Sequence, residues 1–484
     1  MRLRLLALTM GFALTLPALS AQGTLTASRQ TAASKQARAG ETEFRALYKE
    51  LVEINTTLSA GSCTDAANAM KARLLAAGFQ DEEARVVVPD GWPKQGNLIA
   101  RLPGTDANLK PVLLLAHIDV VEANRADWER DPFTLVEEGG FFYARGSSDD
   151  KAMAAVFTDS LIRYRKEGFK PRRDIRLVLT CGEETSDTFH GVEWLLKEYP
   201  QLMKAAFALN EGAGGELDAH GKPVTLQVQA GEKVYQDFRL ETTDKGGHSS
   251  RPTKKNPIYA LGAALGRIGA YQFPISLNDA TRAYFKAQLE LAPQAVAEDI
   301  KAVLADPPDA AAADRLWTIN PGWNSMLRTT CVATMLDAGH APNALPQRAG
   351  ANVNCRILPG VPLEAVKNAL AKLAHDPDIT ISAVGEPSPV GNAPALTPAI
   401  MEPVRKVADT IWPGVAIVPT MATGATDGRF LNAAGIQTYG LSGMFHDIEG
   451  SHAHGLNERM RVKSLLDGRR FLYEVVKLYA NARE

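Results

Sequence analysis

Cysteine is scarce in this chain. Cys63, Cys181, Cys331 and Cys355 are the four among 484 residues, too few for disulfides to frame the fold. Net charge is scarce too, −2 at pH 7, which gives no support for a nucleic-acid partner or an anionic membrane surface. No internal repeat is visible, and past residue 21 no apolar run approaches the length of a membrane span. What remains is ordinary globular composition, 45% hydrophobic and 22% charged, in a chain longer than one hydrophobic core usually supports. Two domains are expected.

Residues 1–21 read as a secretory signal: Arg2 and Arg4, a mainly apolar stretch from Leu5 to Leu16, then Pro17 to Ala21. A single membrane anchor is the competing reading, for which the apolar core is short. The signal predicts an exported protein, periplasmic or secreted, with no membrane contact after cleavage. Residues 22–40, rich in Ser, Thr, Ala and Gln, read as a flexible lead-in. Export permits disulfides. Thr329 to Leu336 and Ala351 to Leu358 both read as strands, which makes Cys331 with Cys355 the best candidate pair; two free buried thiols are an equally good reading. Cys181 is expected to pack rather than react.

Phe44, Leu47, Tyr48, Leu51 and Ile54 recur at helical spacing, and a second amphipathic stretch from Asp65 ends at Gly78. Strand-like and helical segments alternate to about Val228, the signature of an α/β unit with a mainly parallel sheet flanked by helices. The period then changes. Phe238 and Leu240 alternate with Asp237 and Arg239, and Val353, Cys355 and Ile357 with Asn354 and Arg356, as in half-exposed antiparallel strands. Helical stretches from Pro257 and Leu363 complete the order strand, helix, strand, strand, helix, strand, which is ferredoxin-like. The expected organisation is therefore an α/β domain in two parts, residues 41–232 and 393–484, with an α+β domain inserted over 233–392 and a helical insertion within it at about 273–323.

Seven acidic and imidazole positions stand at the ends of short apolar runs: His117, Asp119, Asp149, Glu183, Glu184, Glu211 and His454. Val112 to Leu115, Phe141 to Ala144, Leu177 to Thr180 and Phe207 to Leu209 each read as a buried strand delivering polar residues at its C-terminal end, where open α/β sheets place their sites. Singly these signals are weak. A His-x-Asp is commonly a structural pair, Glu183-Glu184 a solvated loop, and Asp149-Asp150 an N-cap before the helical stretch Ala152 to Arg165. Together, as imidazole and carboxylate donors without thiolate, they read as a two-metal hydrolytic site suited to Zn²⁺ with an open position for water.

In these elements, in Gly246-Gly-His248-Ser-Ser-Arg-Pro252, in Ala425-Thr-Asp427-Gly-Arg429 and in His454-Gly-Leu-Asn457-Glu458, the chain resembles the co-catalytic zinc exopeptidases and amidohydrolases. That family includes glutamate carboxypeptidase, carboxypeptidase S, aminoacylase, carnosinase and succinyl-diaminopimelate desuccinylase. The resemblance spans roughly residues 41–484, and Arg145-Gly-Ser-Ser-Asp-Asp-Lys151 is nearest the carboxypeptidase S branch. It implies a catalytic domain bearing an inserted lid, and two Zn²⁺ per chain with other divalent metals admissible. His117 would hold one zinc and His454 the other, Asp149 would bridge, and Glu184 and Glu211 would complete one shell each. Asp119 would fix the His117 tautomer through its second ring nitrogen. Glu183 would be the general base. His248 would donate to the oxyanion, in dimeric relatives from the partner's lid. Arg356 sits where relatives clamp a substrate carboxylate, a surface salt bridge being the equal alternative, with Asn343 as an accessory polar contact. The peptide after Asp149 is cis in many relatives.

Two departures matter. Ala152 stands where glycine commonly follows Asp-Asp-Lys, and the insertion puts the family's homodimer through the lid in doubt. The expected activity is zinc-dependent cleavage of an amide bond beside a free carboxylate, in small peptides or N-acyl amino acids, by a carboxypeptidase, dipeptidase or aminoacylase. An amino-terminal dipeptidase is the alternative, but relatives of that kind tend to carry aspartate where Glu211 stands. A non-catalytic periplasmic peptide- or zinc-binding protein is opposed by the complete ligand set and Glu183, and a biosynthetic deacylase by the export signal.

Overall fold

A computed structural model describes residues 40–185 and 188–482. The signal expected over residues 1–21 and nearly all of the expected lead-in lie outside them. Among the described residues no helix is long and apolar enough to cross a membrane.

The apolar runs form the middle of a large sheet. Ile175–Thr180, Val112–His117, Phe207–Asn210 and Thr438–Gly440 are neighbours, all parallel. Antiparallel strands extend this core on both sides, Asn97–Leu102 beyond Ile175–Thr180 and Pro223–Glu232 beyond Thr438–Gly440. The runs are unbroken because both faces are covered. Val112, Leu114, Leu177 and Leu179 point into one core with the helices Lys151–Lys166 and Val462–Asn481, while Leu113, Leu115 and Val178 point into a second core with Gly191–Glu198. One expectation needs correction. Phe141–Tyr143 is not a strand of this sheet; it pairs with Val136–Glu138 and Arg459–Arg461 in a separate three-stranded antiparallel sheet. Gly139-Gly140 between the first two, both at positive φ, makes a hairpin that the sequence displays openly.

The smaller sheet has the ferredoxin-like order Thr330–Ala338, Arg348–Ile357, Val234–Thr243, Thr380–Ala383, all antiparallel. Val234, Phe238, Leu240, Val353 and Ile357 pack under the helices Pro257–Ala270 and Leu363–Ala374. Tyr235, Asp237, Asn354 and Arg356 therefore face the other way. The segment expected to be a helical insertion is four helices around Phe285, Ile300, Val303, Leu316 and Leu327. Its first helix, Asp279–Leu291, packs on the strand Ala416–Ala422, and so covers that flank of the large sheet.

Lys233 sits between the two sheets, after Glu232 ends one strand and before Val234 begins the next. Its side chain is fully buried, and Nζ donates to Ser325 Oγ at 3.1 Å and Thr330 Oγ1 at 3.2 Å. Burial, with the Arg356 charge nearby, pushes its pKa down to about 7. The unfolded chain holds this proton up to the ordinary lysine range, so folding expels it between about pH 7 and 10 and stability rises with pH across that window, by at most about 1.4 kcal/mol per unit. Lys233→Met removes the titrating group. Unfolding measured at pH 7, 8 and 9 should show the variant's stability relative to the parent declining as pH rises; parallel curves would refute a neutral, buried Lys233.

Candidate metal centre

Three of the four polar endings meet because their strands are adjacent. His117 ends Val112–His117, Glu183 and Glu184 follow Ile175–Thr180, and Glu211 follows Phe207–Asn210. Asp149 arrives from the turn before the helix Lys151–Lys166, across a cis peptide to Asp150. His454 arrives from a loop where His452, His454 and Asn457 all adopt left-handed φ near +55 to +60°.

The donors divide around Asp149. His117 Nε2 lies 3.1 Å from Asp149 Oδ1 and 3.7 Å from Glu211 Oε2. His454 Nε2 lies 3.3 Å from Asp149 Oδ2 and 2.9 Å from Glu184 Oε2. Each carboxylate oxygen of Asp149 thus faces a different imidazole. Glu183 stands with His117 and Glu211, one donor atom from each lying within 4.8 Å of the others. The electrostatics agree with a cation site: burial, reinforced by mutual repulsion, pushes the carboxyls of Asp150, Glu183 and Glu211 up, and that of Asp427 up to about 7. Burial acts the same way on Asp149, but the two imidazoles hold it well below the carboxylate range. Asp119 Oδ1, Asp150 Oδ2 and Asp427 Oδ1 are buried without a hydrogen-bond partner. Anionic donors crowded in this way fit divalent cations.

Asp119 requires a correction. The His117 Nδ1 hydrogen bond goes to the backbone carbonyl of Asp119 at 3.1 Å, while the carboxylate is 3.7 Å away. The carboxylate accepts the Glu184 N–H instead, at 2.9 Å, so it orders the glutamate pair rather than the imidazole. His248 and Asn343 lie together in the smaller unit, in and beside the two-residue pairing Gly247–His248 with Ala344–Leu345, both exposed. His248 Nδ1 is bonded to Ser250, and among the described residues no contact joins it to the cluster. Arg356 lies on the open face of the small sheet, 4.6 Å above the Tyr235 ring, with no ion pair among the described residues. Arg429, from the Ala425-Thr-Asp-Gly-Arg loop, bears electrostatically on both Arg356 and the buried Glu232.

Sequence reasoning assigned Glu458 no role. It is fully buried, and its carboxylate accepts the N–H groups of Gly146 at 2.9 Å, Ser148 at 2.8 Å and Asp149 at 3.0 Å, and Arg145 Nη1 at 2.7 Å. One carboxylate thereby shapes the Asp149 turn and ties it to the His454 loop four residues away. Its place in the His454-Gly-Leu-Asn-Glu motif was the available signal.

A sheet covered by helices on both faces, carrying imidazoles and carboxylates in two sets about a shared aspartate, defines a metal-dependent hydrolase of peptide or amide bonds. The chain belongs to Peptidase family M20/M25/M40, whose model matches residues 113–478. Human N-fatty-acyl-amino acid synthase/hydrolase PM20D1 is 30% identical over 387 residues, covering 78% of this chain and 75% of that one. Probable carboxypeptidase S-like 2 of Dictyostelium discoideum is 26% identical over 398 residues, covering 79% and 74%. In fold the chain is similar to the M20 family metallo-carboxypeptidase Sso-CP2 from Sulfolobus solfataricus, with a TM-score of 0.66 at 20% identity over 90% of this chain and 99% of that one.

Glu458→Gln keeps the shape but turns one charge-assisted acceptor into a donor facing N–H groups. Metal affinity should fall by about 10- to 100-fold, as for other groups that orient ligands. Chelator competition checks this, and unchanged affinity would remove Glu458 from the site's support.

Proposed function

We propose that this chain is a di-zinc amidohydrolase that cleaves the amide bond next to a free carboxylate in N-acyl amino acids or small peptides. The observation that carries the reading is Asp149, whose two oxygens face two separate imidazoles, each with its own glutamate. A shared anion offsets the repulsion of two close divalent ions. Bound there, zinc would supply Lewis acidity toward water and the scissile carbonyl.

The rest is done by the chain. Glu183 is not needed to complete either set, and burial with the Glu211 charge raises its carboxyl, which suits a group that takes a proton from the attacking water near neutral pH and passes it to the leaving nitrogen. The products are then a carboxylic acid and an amine. Arg356 offers a partly desolvated guanidinium with no ion pair among the described residues, a fitting clamp for a substrate carboxylate. The names of PM20D1 and the carboxypeptidase S-like relative support substrates of these two kinds.

A homodimer fits the same reading. One insertion helix covers a flank of the large sheet, but Thr330–Ala338 remains an open edge of the small one, with Val332, Met335 and Leu336 each more than 60% exposed. Exposed His248 would then serve a second copy's site. Two disulfides, Cys63–Cys181 and Cys331–Cys355, support an oxidising, exported location.

Glu183→Gln should retain two metals per chain and lose about 10²- to 10⁴-fold in rate, since an amide cannot take the proton; Glu184→Gln should also lose metal. Metal analysis beside steady-state kinetics separates the two, and full activity in Glu183→Gln ends its assignment as base. On substrates, an N-acyl amino acid should be cleaved well and its C-terminal amide poorly. Arg356→Ala should erase that preference at a loss of roughly 2 to 4 kcal/mol, or about 30- to 1000-fold in kcat/KM. If amidation is harmless while blocking a free amine abolishes cleavage, an amino-terminal dipeptidase is the correct reading.

A further inference from the structure

The segment that presents Glu183 and Glu184 is lightly held. Among the described residues, the N–H of Glu184 is the one backbone donor in 182–185 with a partner, the Asp119 carboxylate. Its root is different. Cys181 N–H donates to Asn97 Oδ1 at 3.0 Å, the Cys181 carbonyl accepts Gly191 N–H at 2.8 Å, and Cys181 Sγ is bonded to Cys63 across a sequence separation of 118. Cys63 opens the helix Cys63–Ala76, whose start is fixed by the Ser62 cap and by Thr64, bonded through its hydroxyl to Pro93 O and Gly96 N–H. Both cysteines are buried. The bridge backs directly onto Asp119: one donor atom from each of Cys63, Asp119 and Cys181 lies within 4.8 Å of the others.

We infer that the Cys63–Cys181 disulfide is a positioning element for the Glu183–Glu184 pair, so that opening this one bridge disarms the site. The inference rests on the roles given to those glutamates above. Reduction by a dithiol moves two electrons and two protons to the cysteines, leaving two thiols and the cyclic disulfide of the reductant. Bonded sulfurs sit about 2.0 Å apart, whereas unbonded heavy atoms keep about 3.5–4.0 Å. In a close-packed interior the extra space of about 1.5 Å must come from neighbours, here Asp119 and the turn at Gly182. That turn runs close against Phe189: Gly182 sits at φ +95°, and a Cβ there would lie 2.2 Å from the Phe189 carbonyl, so a shift at Cys181 passes along the chain toward Glu183. A shift of that size is enough to cost about 100-fold in rate. Cys331–Cys355 offers the contrast: its cysteines are opposite one another in paired strands of the small sheet, held by the strand hydrogen bonds on either side.

The experiment uses full-length mature protein carrying Cys331→Ala and Cys355→Ala, so that a single bridge remains, compared before and after dithiothreitol. Hydrogen exchange is read on the metal-free protein, zinc retention against a chelator, and kcat separately from KM. Reduction should speed exchange across residues 182–190, weaken retention of one zinc more than the other, and lower kcat by about 10- to 100-fold with KM little changed; reoxidation should restore all three. Cys63→Ala with Cys181→Ala should share the faster exchange. Unchanged exchange, zinc retention and kcat after verified reduction overturn the inference. Changed exchange and zinc retention in a protein that hydrolyses no amide in either state uphold the positioning role and overturn the hydrolase reading instead.

Discussion

Six carboxyls, those of Asp149, Asp150, Glu183, Glu184, Glu211 and Asp427, are gathered in one largely buried place against two imidazoles, His117 and His454. Left alone such a cluster protonates or opens to water, since buried like charges raise one another's pKa. The surrounding structure holds it together by directing N–H groups and cations at the carboxylates that cannot reach a metal. Glu458 is neutralised by Arg145 and three peptide N–H groups, Glu232 accepts Thr426 N–H at 2.6 Å, and Asp427 accepts the Thr180 hydroxyl at 2.7 Å. Asp149, Glu184 and Glu211 are left facing the two histidines, with Asp150 and Glu183 buried beside them.

That division explains how much could be read from the sequence. Parallel strands covered on both faces leave unbroken apolar runs, and their C-terminal ends are where side chains escape the sheet, so His117, Glu183, Glu184 and Glu211 were visible as polar punctuation after Leu115, Thr180 and Leu209. The small sheet was visible for the opposite reason. One of its faces is open, so Phe238 and Leu240 alternate with Asp237 and Arg239.

What stayed hidden depends on tertiary placement or on a single rotation. Glu458 stood in a quoted motif, but its task is set by three N–H groups more than 300 residues earlier in the chain. Cys63 and Cys181 meet because a helix start and a strand end are brought together from far apart, whereas Cys331 and Cys355 belong to consecutive strands whose pairing the sequence suggests. Asp119 has another partner than expected, since His-x-Asp spacing cannot tell the aspartate carbonyl from its carboxylate. Phe141 to Ala144 was read as another buried strand because a short apolar run looks alike in a core sheet and in a hairpin.

The two units carry opposite electrostatic problems. The large sheet concentrates carboxylates, while the junction with the small one gathers basic side chains: Lys233 discharged by burial and held by hydroxyls, Arg356 stacked on Tyr235, and Arg429, whose charge adds to burial in depressing the Arg356 pKa. On the proposed reading, a substrate with an amide carbonyl at one end and a carboxylate at the other would answer both, its carbonyl drawn to metals held by the anionic cluster and its carboxylate to the guanidinium groups. Burial makes this discriminating. On the proposed reading, a ligand lacking the carboxylate would leave the partly buried Arg356 with only the Tyr235 ring and the Asp237 charge, and that poorly met charge would count against it more than any lost contact.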